Sequence, residues 1–215
     1  MAAGRLALIL LCCVPSLAES SAPAPDVRGA KYGDSFRLAR SARSRVQHLL
    51  AKYQKSQQLG DENFEDRGGH SKDLPLLSTT FDSWLRLTDW ERLDAALSDM
   101  QAYGKSLEWK RKELETEERE ATGVQALACA NLSQSIKHVE LDLRDLIGQV
   151  KSQMSHIKNA RRKPTFPTVQ AAPNHSSLSK TVWERSVEGY IILRDLNLYL
   201  TKLARDFLLL ASKRQ

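Results

Sequence analysis

Four long stretches of apolar residues at helical spacing constrain the fold of this chain more than any other feature of its sequence. In each stretch the apolar side chains recur in steps of three and four, so they share one face of an α-helix. No alternation of apolar and polar residues long enough for a β-strand interrupts them. All seven prolines and six of the ten glycines fall outside these stretches. The pattern predicts an all-α protein.

Local start and stop signals set the predicted helix boundaries. Asp34 is a suitable N-cap for the first helix, because its carboxylate can accept hydrogen bonds from free backbone amides, and Gly60 ends that helix. Thr88 and Glu91 have the spacing of a capping box at the start of the second helix. Residues 110–120 either extend the second helix or carry the turn into the third. We predict helices over residues 35–58, 89–112, 123–159 and 181–213.

The apolar stripes of the last two predicted helices are the longest. Each keeps its four–three rhythm for most of the helix, as near-parallel helix packing requires. We expect the stripes to supply enough burial for folding without disulfides, at roughly 1.5–3 kcal/mol per fully buried side chain. The predicted core face of the third helix comprises Val124, Ala128, Leu132, Ile136, Val139, Leu143, Leu146, Val150, Met154 and Ile157. That of the fourth comprises Val182, Gly189, Leu193, Leu196, Leu200, Leu203, Phe207 and Leu210.

The lengths of the connections indicate how the helices are arranged. Residues 61–87 and 160–180 form two long connections, whereas the one between the second and third helices is short. A long connection can run the length of a bundle and join parallel helices, while antiparallel neighbours need only a few residues. Connections in the order long, short and long are typical of the up-up-down-down, long-chain four-helix bundle of cytokines and growth hormone. We therefore predict one such domain over residues 34–215, after a flexible N-terminal segment at 19–33.

The first eighteen residues have the layout of a cleaved signal peptide. Arg5 precedes an apolar run over residues 6–14, and Ser16 and Ala18 place small residues before a cleavage site after Ala18. The run is too short for a membrane span, which needs about 20 apolar residues. No later segment is long and apolar enough to anchor the chain. The sequence therefore predicts a secreted, extracellular protein without membrane insertion.

Secretion bears on the cysteines and on two glycosylation sequons. Cys129 is the only cysteine beyond the predicted cleavage site, so an internal disulfide is impossible, and its thiol is either buried or bonded to a partner chain. Asn131 and Asn174 each begin an Asn-x-Ser sequon. Asn174, in a polar connection, is the stronger candidate for glycosylation. Asn131 lies on a helix flank that packing or a partner could hide.

No pattern in the sequence predicts an enzyme, a metal site or a cofactor. The five histidines have no metal-ligand spacing with one another or with Cys129. Neither a nucleophile elbow nor a glycine-rich phosphate loop appears. The net charge of +6 is modest and its signs are interspersed, which speaks against a polybasic nucleic-acid binder. The sequence leaves open whether the basic residues 161–163 bind glycosaminoglycans.

Three segments resemble known helical cytokines. Residues 80–93, with Trp84 and the Glu-Arg-Leu at 91–93, are similar to the segment leading into the second helix of ciliary neurotrophic factor and of the interleukin-27 alpha subunit. Residues 141–146 and 203–213 resemble the interleukin-27 alpha subunit. The chain thus looks like the interleukin-27 alpha-subunit family, within the interleukin-6/interleukin-12-type long-chain helical cytokines, with ciliary neurotrophic factor as the second match.

This resemblance implies a non-enzymatic cytokine subunit that starts kinase signalling in immune cells by clustering receptors. The implied partners are a soluble class I receptor-like subunit of the Epstein–Barr-virus-induced type, the interleukin-27 receptor alpha chain, and the shared signal transducer of the interleukin-6 family. In that family a tryptophan at the start of the fourth helix anchors the shared transducer, and Trp183 occupies that position here. Exposed tryptophan is also the residue type most enriched among binding hot spots.

The resemblance implies two further receptor-binding surfaces, whose residues we choose from the geometry of the helix faces. The outer face of the late fourth helix, with the first long connection, would hold the receptor-like subunit through Leu198, Lys202, Arg205, Leu209, Leu74 and Leu76. The outer faces of the first and third helices would meet a second receptor through Arg37, Arg40 and Arg43. Two alternatives stay open: a single-chain interleukin-6-type cytokine acting without a companion subunit, and a secreted amphipathic-helix lipid carrier.

Overall fold

The computed structural model describes residues 27–57, 74–75, 80–160 and 181–213. Within these ranges it contains helices and no strand, so the predicted all-α fold class is confirmed. None of these helices combines the length and the apolar character that a bilayer crossing requires. The helices are α1 (Val27–Ser56), α2 (Phe81–Arg86), α3 (Asp89–Glu120), α4 (Gly123–Ala160) and α5 (Val182–Ser212).

Polar contacts between α1 and α4 fix the relative direction of these two helices. Ser35, in the first half of α1, donates to Gln149 in the second half of α4 over 2.6 Å. Lys52, near the end of α1, donates to the hydroxyl of Ser135 in the first half of α4 over 3.3 Å. Residue numbers rise along α1 as they fall along α4, so the two helices are antiparallel.

Contacts of α5 complete the topology. Ser186, in the first turns of α5, donates to Gln57 just beyond the end of α1 over 2.8 Å. Arg92, near the start of α3, contacts Asp206 near the end of α5 over 2.6 Å. Helix α5 is therefore antiparallel to both α1 and α3. Among the described residues the backbone of α1 lies close to those of α4 and α5 but not to that of α3, so α1 and α3 lie on a diagonal. The predicted up-up-down-down bundle is confirmed.

The apolar stripes meet along the bundle axis in one core, and most of the predicted core residues are buried there. Two predictions within the stripes are wrong. Val124 and Val182 are 86% and 66% exposed. Each lies in the first turn of its helix at one end of the bundle, where the helical period continues but no neighbouring helix covers it.

The first helix begins earlier than its capping signal predicts. Helix α1 starts at Val27, so the second half of the segment predicted to be flexible is helical, and the helix ends at Ser56. Asp34 is consequently an interior residue, and its carboxylate pairs with Arg37 one turn later instead of capping the helix. A residue type that caps helices well can also lie inside a helix, where it forms an ion pair with a side chain one turn away.

Residues 110–120 extend the second predicted helix. Helix α3 runs to Glu120, well past residue 112, and only Ala121 and Thr122 separate it from α4. Gly123 has a φ of 59°, a left-handed conformation that glycine adopts without steric cost. The α3–α4 turn is therefore tight, and the start of α4 lies beside the end of α3.

Two local features were not predicted. Helix α2 forms within the stretch predicted as a long connection, with the Thr80 hydroxyl accepting from the Ser83 amide at its start. Thr181 forms a second capping box with Glu184, matching the predicted one between Thr88 and Glu91. Both capping boxes satisfy backbone amides that a helix start otherwise leaves free.

Candidate functional site

Exposed large apolar side chains collect at the two ends of the bundle. Only Leu141 and Leu198 lie along its sides. Such side chains are informative when they cluster, because isolated ones are common on any protein surface. In the described structure the exposed set is Phe81, Leu85, Val124, Leu127, Leu141, Val182, Trp183, Leu198 and Leu208.

One end carries Val182 and Trp183 in the first turn of α5. Trp183 is 49% exposed. The capping box fixes this turn, since the Thr181 amide donates to a carboxylate oxygen of Glu184 over 2.7 Å. An ion pair connects the start of α5 to α3, since the guanidinium of Arg185 lies 3.3 Å from the Glu113 carboxylate. The tryptophan is thus presented from a fixed backbone.

Val124 and Leu127 bring apolar surface from α4 to the same end. They are 86% and 63% exposed. They lie at the end of the bundle where α5 starts, since Arg185 also pairs with Glu117, at 3.7 Å, just before the α3–α4 turn. We call Val124, Leu127, Val182 and Trp183 together the α5-start surface.

Trp84 fastens α2 to the opposite end of the bundle. Its indole nitrogen donates to Asp206 Oδ1 over 2.6 Å, and its backbone carbonyl accepts from Arg92 Nη2 over 2.7 Å. Arg92 Nη1 donates to the same Asp206 oxygen over 2.6 Å, and its guanidinium carbon lies 4.8 Å from the Trp84 ring centroid. The side chains of Arg92 and Asp206 are only 1% and 5% exposed. We call these three residues the Trp84 cluster.

This cluster holds α2 with its apolar residues facing outward. Phe81 and Leu85 are 69% and 48% exposed, and Leu208, near the end of α5, is 53% exposed. We call these three residues the α2 surface. The segment that carries the sequence resemblance therefore has a structural role, since Trp84 and Arg92 fix the position of α2.

A match over most of the chain decides its family. Residues 16–215 match the sequence model of the ciliary neurotrophic factor family. The chain belongs to the ciliary neurotrophic factor family. A comparison with curated proteins finds no match.

Membership of the ciliary neurotrophic factor family makes the chain a helical cytokine of the interleukin-6 type, a signalling ligand for class I cytokine receptors. It favours this class over the lipid-carrier alternative. The family match confirms the resemblance at the level of interleukin-6-type cytokines and does not single out the interleukin-27 alpha subunit.

The predicted surface on late α5 of this ciliary neurotrophic factor relative is only partly exposed. Leu198 and Arg205 are exposed, whereas Leu209 is half-buried. Leu74 is 5% exposed and belongs to the core, so its prediction as a surface contact is wrong. Its neighbour Leu76 lies outside the described residues.

Lys202 is engaged within the bundle. Its ammonium lies 3.8 Å from the Asp99 carboxylate and 3.9 Å from that of Asp206, and its side chain is 24% exposed. Burial raises the pKa of the Asp99 carboxyl, against the opposing effect of the Lys202 charge. A lysine that neutralises two partly buried carboxylates is a poor candidate for a free receptor contact.

The three predicted arginines of the first helix differ in exposure. Arg37 and Arg40 are exposed on α1, while Arg43 is half-buried. No described residue accepts a hydrogen bond from the buried Nε of Arg43. The structure thus leaves two of the three available to a partner.

Cys129 and the sequons complete the predicted sites. Cys129 is 1% exposed, and burial raises the pKa of its thiol, which favours a buried thiol over a bond to a partner chain.

Asn131, the first residue of one predicted sequon, is exposed on α4. The hydroxyl of Ser133 in that sequon donates a hydrogen bond to the backbone carbonyl of Ala130. Asn174 lies outside the described residues. Within the described ranges, no His, Cys, Asp and Glu side chains group as a metal site would require.

Proposed function

We propose that this chain is a secreted cytokine that clusters class I receptors, and that the α5-start surface is its principal receptor contact. The half-exposed Trp183 at the capped start of α5 carries the proposal. A tryptophan that only closed the end of the core would lose most of its surface to that core. Half of this side chain remains exposed, at the same end of the bundle as the exposed Val124, Leu127 and Val182.

The geometry of this surface suits a binding hot spot. Hot spots are enriched in tryptophan, and they bind best where the free protein already holds the side chain in place. The capping box and the Arg185 ion pairs hold the first turns of α5. Receptor binding would then bury apolar area with little further loss of backbone entropy.

Clustering requires a second contact, and the α2 surface supports one at the opposite end. Contacts at opposite ends allow two receptor ectodomains to bind one bundle without overlapping. In its specific form the proposal assigns the α2 surface, with Leu198 and Arg205, to a soluble receptor-like companion subunit. Co-expression distinguishes the two forms: rescue of secretion by such a subunit supports the heterodimer, and efficient secretion without it supports a single-chain cytokine.

Secretion is the part of the proposal that depends on residues 1–18. These residues lie outside the described ranges, and their layout predicts a signal peptide cleaved after Ala18. The amino terminus of the protein recovered from the medium of expressing cells tests this directly.

The receptor contact is tested by Trp183→Ala. We expect receptor affinity and signalling potency to fall at least about thirty-fold, since truncation of a hot-spot residue costs about 2 kcal/mol or more. Surface plasmon resonance against candidate class I receptor ectodomains measures the affinity. The matched control is Leu141→Ala, which removes a 38% exposed apolar side chain from the side of the bundle. Unchanged potency of a folded Trp183→Ala variant would refute the proposal.

A further inference from the structure

The charges of this bundle are segregated by helix. Helix α1 contains eight Lys and Arg residues and one acidic residue. Helix α3 contains six basic and ten acidic residues, whereas α4 and α5 are close to balanced. Because α1 and α3 lie on a diagonal, one side of the bundle is strongly basic and the opposite side is acidic. The modest net charge of +6 conceals this asymmetry.

The basic residues of α1 lie on its solvent side. Ser35, Ala39, Ala42, Val46, Leu49 and Tyr53 form the buried face of the helix. Apart from Asp34, no exposed residue of α1 is acidic; each is either basic or uncharged. The exposed basic side chains are Arg37, Arg40, Arg45, His48, Lys52 and Lys55. We call these six residues the α1 basic face.

The α1 basic face is long and carries few acidic neighbours. From Arg37 to Lys55 it extends about 27 Å at 1.5 Å per residue. Asp142 of α4 accepts from Arg45 over 2.7 Å and neutralises it. The exposed Asp145 of α4 pairs with Arg144 on its own helix, and Asp34 pairs with Arg37. Most of the positive charge therefore faces solvent.

The same face has no exposed large apolar side chain, and the nearest aromatic ring, that of the partly buried Phe36, is covered by Arg40. None of the exposed large apolar side chains of the described structure lies on α1. The outward positions between its basic residues hold Ser41, Ser44 and Ala51, which are small. A protein interface depends on buried aromatic or apolar hot spots, and a membrane-surface helix needs apolar residues to insert. A row of charges without such anchors fits a flexible polyanion, which is bound through charge along its length.

We propose that the α1 basic face binds a sulfated polysaccharide of the heparan sulfate type. The closely spaced sulfate and carboxylate groups of such a chain complement the row of Arg, Lys and His side chains. This row is about 27 Å long, given a helical rise of about 1.5 Å per residue. Arginine forks bind these oxyanions in bidentate geometry. The receptor contacts at the bundle ends stay free, so the cytokine can be retained at cell surfaces while it binds receptors.

Heparin tests this proposal with two charge-matched variants. The first, Arg37→Gln/Arg40→Gln/Lys55→Gln, removes three charges from the α1 basic face. Arg37 pairs within α1 and Arg40 lies over the Phe36 ring of the same helix, so their loss leaves the contacts between helices intact. The second variant, Lys105→Gln/Lys112→Gln/Arg119→Gln, removes three exposed charges from α3.

We expect heparin affinity at physiological salt to fall at least tenfold for the α1 variant and less than threefold for the α3 variant. The slope of log K against log salt concentration is negative, and its magnitude should decrease by about two to three for the α1 variant. Each contact that is lost reduces the number of counterions released on binding by about one. Titration calorimetry with heparin at several salt concentrations measures both quantities. Circular dichroism checks that each variant is folded.

Three results would overturn the proposal. Equal losses in the two variants would mean that heparin responds only to net charge. Unchanged affinity in the α1 variant would remove the face from polysaccharide binding. Unchanged heparin affinity with lost receptor binding would make the face a receptor contact. Since Trp183 is intact in both variants, failure here leaves the proposed receptor contact untouched.

Discussion

Replacing Gly189 by alanine is expected to destabilise the protein by about 1–3 kcal/mol, although alanine is the better helix former. A Cβ atom at Gly189 would overlap the Tyr53 hydroxyl and would lie 2.6 Å from Lys110 Cε and 2.8 Å from Tyr53 Cζ. Tyr53 is fully buried. Lys110 is held by Glu113 and by the backbone carbonyl of Arg185. Neither side chain can retreat without disrupting the contact between α1, α3 and α5.

Two helical glycines provide the control. A Cβ at Gly104 or Gly148 would meet no atom within 4 Å. Gly148→Ala is therefore expected to stabilise the protein by about 0.5–1 kcal/mol through helix propensity alone. Urea unfolding of the two variants should give changes of opposite sign. A stabilising Gly189→Ala would show that α1 and α5 are not packed as closely as described.

Removing the nearest atom, the Tyr53 hydroxyl oxygen, should relieve part of the clash, while Lys110 Cε and Tyr53 Cζ stay close to the new Cβ. No described residue hydrogen-bonds the Tyr53 hydroxyl, so Tyr53→Phe alone should cost little. In the double variant Gly189→Ala/Tyr53→Phe we expect at least about 1 kcal/mol of the loss to be recovered, the size of coupling typical of residues in contact. An additive result would mean that the Tyr53 hydroxyl does not cause the destabilisation and would leave Lys110 Cε and Tyr53 Cζ as its source.

The bundle itself is predictable from the sequence because its signals are periodic and repeated. Long stripes such as Leu132 to Met154 specify a helix and its buried face together. Boundaries are harder, since Asp34 is equally suited to cap a helix and to pair with Arg37 within one. The end residues Val124 and Val182 fit the stripe, yet the sequence does not show where the neighbouring helices stop.

Among the predicted site residues, exposure was easiest to predict for Trp183, which is 49% exposed. Trp183 is identified by its type and its place after a polar connection. The environments of Lys202 and Leu74 are harder to predict, because they depend on residues distant in the sequence: Asp99 on α3 for Lys202, beside the nearby Asp206 of its own helix, and the packed core for Leu74. The excess of basic residues in α1 can be counted in the sequence, but its position opposite the acidic α3 is visible only once the helix pairing is known.

The second large effect is expected for Asp206→Ala, at about 3–5 kcal/mol of lost stability. The substitution leaves Arg92 charged, buried and without its carboxylate, which is among the costliest changes in a protein interior. The Trp84 indole loses its acceptor as well. As a control, Asp145→Ala removes a carboxylate from an exposed pair whose side chains are 71% and 57% exposed, so it should cost less than about 1 kcal/mol. Thermal unfolding of both variants measures the contrast.

A double variant separates stability from the positioning of α2. In Arg92→Met/Asp206→Leu the buried charges are replaced together, and such replacements are often neutral or stabilising. We expect unfolding stability near that of the wild type. Trp84 would nevertheless lose its side-chain acceptor and the donor to its carbonyl, so the amides of residues 81–86 should exchange with deuterium faster while those of the core of α3 and α5 stay protected. Unchanged protection of residues 81–86 would mean that apolar packing alone holds α2, and that the buried ion pair does not position the α2 surface.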